Sequence, residues 1–422
     1  MMVAMKNKKT QTLGLLFSCL VLIELVSVSC TTLKMASLFM SGEIEKKNFL
    51  IEIPLRFQQG LLHLEVRLND KEPLRRFVFD TGAAFCVVSP ELAADLGLRS
   101  VVSDTAADSA GHRNKVDFVI LESVEIAGLS FRRIPAAVVD LKNSKALRCY
   151  DFEGVIGVNL IRLAEAWQVD YRGEKLRLSD QAKNLAGAGS FYRLSLRRNI
   201  QRIPEVEVRF FENRSLWLEI DTGSTRGFSL NSKEWRKLEK GKQEIPWVLK
   251  RGISSAGAFG VNSAESHVVK IDRLQLGAFR AGTQLAEYNP NFKSHVGNDF
   301  WRNFRLTFNW PKNELWLEPL TPEPEPAELV TFGFGFDYDQ EQKGLRVSLL
   351  YENSSDFKTG LELGDRIISI AGKNLESVSQ DEYCRVKADP NVLFGDLQEV
   401  RIVVRRERED KEFVLKKTRL LY

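Results

Sequence analysis

Arg76-Phe77-Val78-Phe79-Asp80-Thr81-Gly82-Ala83 returns further along the chain as Trp217-Leu218-Glu219-Ile220-Asp221-Thr222-Gly223-Ser224. One Asp-Thr-Gly arises by chance in roughly one chain in ten of this length, and two in well under one in a hundred. In each copy an apolar run reads as a strand that ends at the aspartate. A short apolar strand follows, then a predicted helix over Pro90–Leu96 in the first copy and Ser232–Leu238 in the second.

Later features keep the same order. Ser109-Ala110-Gly111 is echoed by Ser255-Ala256-Gly257, and Val155-Ile156-Gly157 by His295-Val296-Gly297. Gly157 follows Asp80 by 77 positions and Gly297 follows Asp221 by 76. Each copy then runs into a closing strand pair, Trp167–Leu178 and Phe304–Leu317. Two features at matching spacing indicate a duplicated lobe. The body is therefore expected to be mainly β, since long helical periodicity is scarce.

The repeated aspartate has a specific chemical use. Hydrolysis of a peptide without metal or covalent intermediate needs a water activated on one side and a carbonyl protonated on the other. Two adjacent carboxyls sharing one proton do both, because like charges about 3 Å apart cannot both ionise. Gly82 and Gly223 relieve the tight turn after each aspartate, and the hydroxyls of Thr81 and Thr222 can brace it from the opposite lobe.

Apolar-apolar-Asp-Thr-Gly-Ala/Ser with a downstream apolar-apolar-Gly resembles the aspartic proteases, over roughly Lys47–Pro319. The resemblance implies a bilobal pair of β-barrels, lobe 1 over 47–183 and lobe 2 over 184–319. It makes Asp80 and Asp221 the catalytic dyad of an aspartic-type endopeptidase, with Thr81, Gly82, Thr222 and Gly223 in support. Two lobes in one chain look pepsin-like, whereas Asp80-Thr81-Gly82-Ala83 and the compact lobes look retropepsin-like. Ser109-Ala110-Gly111 and Ser255-Ala256-Gly257 would then be one flap per lobe. The alternative is a protease-like body that binds peptide without cutting it.

Four details qualify that expectation. His295 replaces an apolar framework residue. It is expected to be a hydrogen-bonded surface histidine, the other possibility being a cationic imidazole beside the dyad. Ala83 offers no hydroxyl to the first aspartate, which predicts a less acidic optimum than pepsin's. Asp170 and Asp299 read as turn or surface carboxylates. His63, His112, His267 and His295 are scattered without zinc spacing, so neither metal nor cofactor is expected.

Thr321-Pro322-Glu323-Pro324-Glu325-Pro326 reads as a stiff linker within 320–328, after which an independent unit is expected over 329–422. Gly333-Phe334-Gly335-Phe336 together with Gly360-Leu361-Glu362-Leu363-Gly364-Asp365 resembles a PDZ domain, small and β-rich with short helices. The resemblance implies that Gly333, Phe334, Gly335 and Phe336 present N–H groups to a peptide C-terminus, with the peptide adding to a strand edge. The run lacks the Lys-Ser/Thr of a phosphate loop.

At the other end, Lys6, Lys8 and Lys9 precede the mostly apolar stretch Leu13–Val28, the layout of a secretory signal over 1–30. Ser27-Val28-Ser29-Cys30 resembles a bacterial lipobox, which implies lipidation of Cys30, a tether over 31–46 and a place in the cell envelope. Of the remaining cysteines, Cys86, Cys149 and Cys384, an odd and sparse set is not a disulfide framework. Cys86 and Cys149 read as buried free thiols, with their pairing open if their strands are neighbours. A formal charge of +4, with 44% hydrophobic and 27% charged residues, gives a globular body without a nucleic-acid surface. The expected partners are polypeptide substrates, peptide C-termini and, through Cys30, a membrane.

Overall fold

A computed structural model describes residues 34–421 apart from 143, 145–146, 188, 212–213, 241–244, 292, 322–326 and 353–358. The leader with Cys30 and the proline run of the linker lie outside the described residues.

Alternating apolar residues produce a mainly β protein. In the first lobe, strand Leu61–Leu68 turns back into Lys71–Phe79, whose last residues pair in parallel with Gly154–Ile156. In the second, Pro204–Phe210 turns back into Arg214–Ile220, which pairs in parallel with His295–Val296. The copies agree atom for atom at the strand ends: Asp80 N–H donates to Ile156 O and Asp221 N–H to Val296 O, both at 3.0 Å. The helices fall at Pro90–Asp95 and Ser232–Glu239 and are capped by Ser89 and Asn231, whose side chains accept N–H groups of the first turn.

A six-stranded antiparallel sheet joins the lobes. Its order is Leu50–Pro54, Lys175–Ser179, Ala166–Asp170, Phe304–Asn309, Glu314–Pro319 and Tyr192–Arg198. Trp167, Phe304, Leu306 and Phe308 are fully buried there, in one apolar core continuous through both lobes. At the junction Arg305 bridges Asp170 and Glu318, at 2.8 and 2.9 Å. Asp170 is thus an interlobe ion-pair partner, and exposed Asp299 pairs with Arg302 at 3.1 Å.

The segment after the linker builds its own core around Leu345, Ile367, Ile370, Ile402 and Val404. Its strands include Phe334–Asp339, Gly344–Glu352, Arg366–Ile370, Glu399–Arg406 and Glu409–Lys416, with helix Gln380–Ala388 held by a Ser379/Glu382 capping box. Besides its own core, the segment meets the second lobe through a strand. Leu349–Glu352 pairs antiparallel with Leu249–Gly252 of the second lobe, so one sheet crosses the boundary. Gly252, at φ +108°, is required there: a β-carbon would overlap Ser348 O.

One further reading is corrected. Cys149 is not a free thiol. It forms a disulfide with Cys384 on helix Gln380–Ala388, 235 residues away, which fastens the C-terminal module to the first lobe. Cys86 remains free, and burial pushes its thiol up to about 12. Within 31–46, residues 34–40 are helical and Glu43–Ile44 pairs with Phe131–Arg132.

Candidate active site

The two Asp-Thr-Gly loops meet at the lobe boundary and interlock. Thr81 Oγ1 donates to Ile220 O at 2.6 Å and accepts Thr222 N–H at 3.1 Å. Thr222 Oγ1 donates to Phe79 O at 2.9 Å and accepts Thr81 N–H at 3.0 Å. Both threonines are fully buried, so these exchanged bonds fix each loop against the other lobe.

Asp80 and Asp221 are brought together, each carboxyl lying against the opposite Asp-Thr-Gly loop. Gly82 N–H and Ala83 N–H donate to Asp80 Oδ1 at 2.7 and 3.1 Å, and Gly223 N–H donates to Asp221 Oδ1 at 3.0 Å. Each glycine also lies against the opposite aspartate: a β-carbon on Gly223 would overlap the Asp80 carboxyl, and one on Gly82 that of Asp221. Burial, first, and then mutual repulsion raise the Asp80 carboxyl above the usual carboxylate range. Burial and the neighbouring Glu219 raise that of Asp221. The pair therefore holds one proton well above acid pH and titrates as a unit.

His295 is neither on the surface nor cationic. It is buried, and burial pushes its imidazole down to about 4, so it is neutral at working pH. Nδ1 lies 2.9 Å from Lys293 O, which only accepts, so the proton is on Nδ1. Bare Nε2 then accepts the Ser224 hydroxyl at 2.9 Å. The Ser224 hydroxyl, directly after the second Asp-Thr-Gly, thereby gives its proton to His295 and not to Asp221.

The two glycine-bearing segments also meet. Ser109, Ala110 and Gly111 form the tip between Val102–Ala107 and Arg113–Ile126. Ser255, Ala256 and Gly257 end strand Trp247–Gly257, whose tip is Ala258-Phe259. Asp108, absent from the sequence reading, joins them. Its buried carboxylate accepts Ala110 N–H and His112 N–H at 3.0 and 2.9 Å within its own tip, and Phe259 N–H at 2.9 Å from the other. Ala258 and Phe259 pack on a first-lobe cluster that includes Ala83 and Phe85, directly after the first Asp-Thr-Gly.

Glu219 was likewise missed. Its half-buried carboxylate accepts Asn199 Nδ2 at 2.8 Å, and burial raises its pKa. Of the Gly333-Phe334-Gly335-Phe336 run, Phe334 and Phe336 group around Phe394, and Gly333 N–H donates to Thr331 Oγ1 at 3.0 Å. Among the described residues no group of three or more His, Cys, Asp or Glu is arranged to hold a metal ion.

Residues 64–160, most of the first lobe, match the family described as aspartyl protease. No curated protein matches the chain. Among solved structures, the crystal structure of basic 7S globulin from soybean aligns with a TM-score of 0.40 at 11% identity, covering 64% of this chain and 94% of that one.

Proposed function

We propose that the chain is an aspartic endopeptidase, with Asp80 and Asp221 as its general acid/base pair. The observation that carries this reading is the placement of each aspartate against the other lobe's glycine, with each carboxyl backed by loop N–H donors. A water between the carboxyls gives its proton to the ionised member and attacks the scissile carbonyl, while the protonated member donates to the carbonyl oxygen. The same two groups then exchange roles to protonate the leaving amine. Loop N–H donors stabilise whichever oxygen carries charge, without reorganisation during the step.

The C-terminal module is proposed to be PDZ-like and to take peptide termini along Phe334–Asp339, which pairs with Gly344–Glu352. The leader is proposed to export the chain to the envelope and anchor it through Cys30. A disulfide in the body agrees with an oxidising compartment. The test is incubation of the mature chain with a denatured protein mixture over roughly pH 4 to 8, with and without a statine-type inhibitor. Cleavage should stop with the inhibitor and in Asp80→Asn and Asp221→Asn. Undiminished cleavage in both variants overturns the proposal.

A further inference from the structure

Beside the Asp-Thr-Gly loop of the second lobe, the disulfide draws the C-terminal module into the wall of a cavity of about 620 Å³. Gln59, Gly60 and Tyr150 of the first lobe, Thr225 and Arg302 of the second, and Lys387 of the module line it. A second cavity of about 320 Å³ shares Gln59, Cys149 and Ala388 with it and adds Arg76, Asp151 and Arg385. Together they form one trough around the Cys149–Cys384 bridge. Its volume falls in the range of ligand sites rather than packing defects.

The charge in the trough is unbalanced. Asp299 is engaged by Arg302 at 3.1 Å and Asp151 by Arg76 at 2.5 Å. Glu382, one turn before Arg385, is taken up by the Ser379 cap, accepting Ser379 N–H at 2.9 Å. Lys387 lies over the Tyr150 and Tyr383 rings, at 5.8 and 5.9 Å from their centroids. Among the described residues neither Lys387 nor Arg385 has a carboxylate at ion-pair distance.

The trough wall is also joined to the second Asp-Thr-Gly loop. Asn298 Nδ2 donates to Gly60 O at 2.8 Å and to Thr222 O at 2.7 Å, tying the trough wall to the catalytic loop. Thr225 stands four residues after Asp221, a path of at most ~14 Å. An extended polypeptide covers that distance in about four residues.

We infer that this trough is a specificity subsite for acidic side chains of a polypeptide, about three to four residues to one side of the bond that Asp80 and Asp221 cut. The inference rests on the proposed endopeptidase reading and adds the substrate class. Lys387 and Arg385 supply the counter-charge, and the disulfide holds them in place.

Two measurements separate this claim from the catalytic one. In the first, full-length Asp80→Asn protein is titrated with a labelled peptide of alternating Glu and Leu and with its Gln counterpart. The Glu peptide should bind roughly ten-fold tighter, equal to about 1.4 kcal/mol. The advantage should shrink with added salt and vanish in R385Q/K387Q and R385E/K387E, the milder pair guarding against misfolding. In the second, cut sites are sequenced in a peptide pool digested by the otherwise unaltered chain. Acidic residues should be enriched at the stated distance, and the enrichment should be lost in R385Q/K387Q. Equal binding of the two peptides, or competition by inorganic phosphate as effective as by the Glu peptide, overturns the subsite. Cutting without acidic enrichment overturns it and leaves the endopeptidase standing. Selective binding without any cutting sinks the endopeptidase and keeps the acidic trough.

Discussion

The carboxylate of Asp108 reaches across the lobe boundary to accept the backbone N–H of Phe259. A carboxylate buried on three N–H donors is a strong acceptor, and it links two hairpin tips that share no backbone pairing. Asp108→Ala should free the tips from each other. We expect faster amide exchange at Phe259 and a rise in KM of roughly ten-fold, with kcat less affected. Unaltered exchange at both tips would contradict this.

His295 and Ser224 make a second prediction. In His295→Val the Ser224 hydroxyl loses its acceptor and becomes available to Asp221. A hydrogen bond to a charged group contributes about 1.5–3 kcal/mol, equivalent to a fall of ~1 unit or more in the carboxyl pKa. The acid limb of the kcat/KM profile should move to lower pH. The double variant His295→Val/Ser224→Ala should return it, and a profile that stays put in the single variant refutes the assignment.

The dyad's raised pKa values give a sign for stability. A carboxyl whose pKa is higher in the folded state favours folding below its unfolded pKa, and this contribution is lost as pH rises through the folded value. Asp80 and Asp221 are both raised, so the ionised pair strains the fold at neutral and alkaline pH. Asp80→Asn should therefore raise the Tm by about 1–3 °C near pH 8 and by less near pH 4, while abolishing cleavage. Glu219→Gln removes the carboxylate that pushes Asp221 up, and should shift the acid limb downward with cleavage retained. pH–rate and thermal scans on the same samples check both.

Removing the Cys149–Cys384 bridge is the fourth. Cys149→Ser and Cys384→Ser should each lower stability by about 2–4 kcal/mol, and the double variant by no more than either alone. Denaturant midpoints measured in the absence of reductant decide it.

The lobes, both helices and the meeting of Asp80 with Asp221 were legible because duplication writes them twice. The repeat also held a signal that went unread. Val78 and Val155 are register partners in the first lobe, and their counterparts in the second, Glu219 and His295, are register partners too. An apolar pair in one copy is a polar pair in the other. His295 alone reads as a departure of the framework, and nothing sets Glu219 apart within its strand, since alternation fits either face. Asp108 lies one position before the glycine-bearing tip, and nothing local marks a carboxylate as bonded across lobes. The disulfide was illegible for a different reason. Three cysteines give no pairing pattern, and a separation of 235 residues leaves no local trace. The pairing of the C-terminal module with the second lobe was hidden likewise, since a proline-rich boundary says where a unit begins and nothing about what its strand edges meet.

The six-stranded sheet between the lobes has a consequence for synthesis. Ala166–Asp170 is paired on one side by Lys175–Ser179 and on the other by Phe304–Asn309, so the first half of the chain emerges with an unfilled strand edge. That edge stays open until the last hairpin of the second lobe is made. A nascent chain arrested between the two, or a fragment cut there, carries a template for pairing with another copy, and holding this species apart falls to whatever escorts the nascent chain.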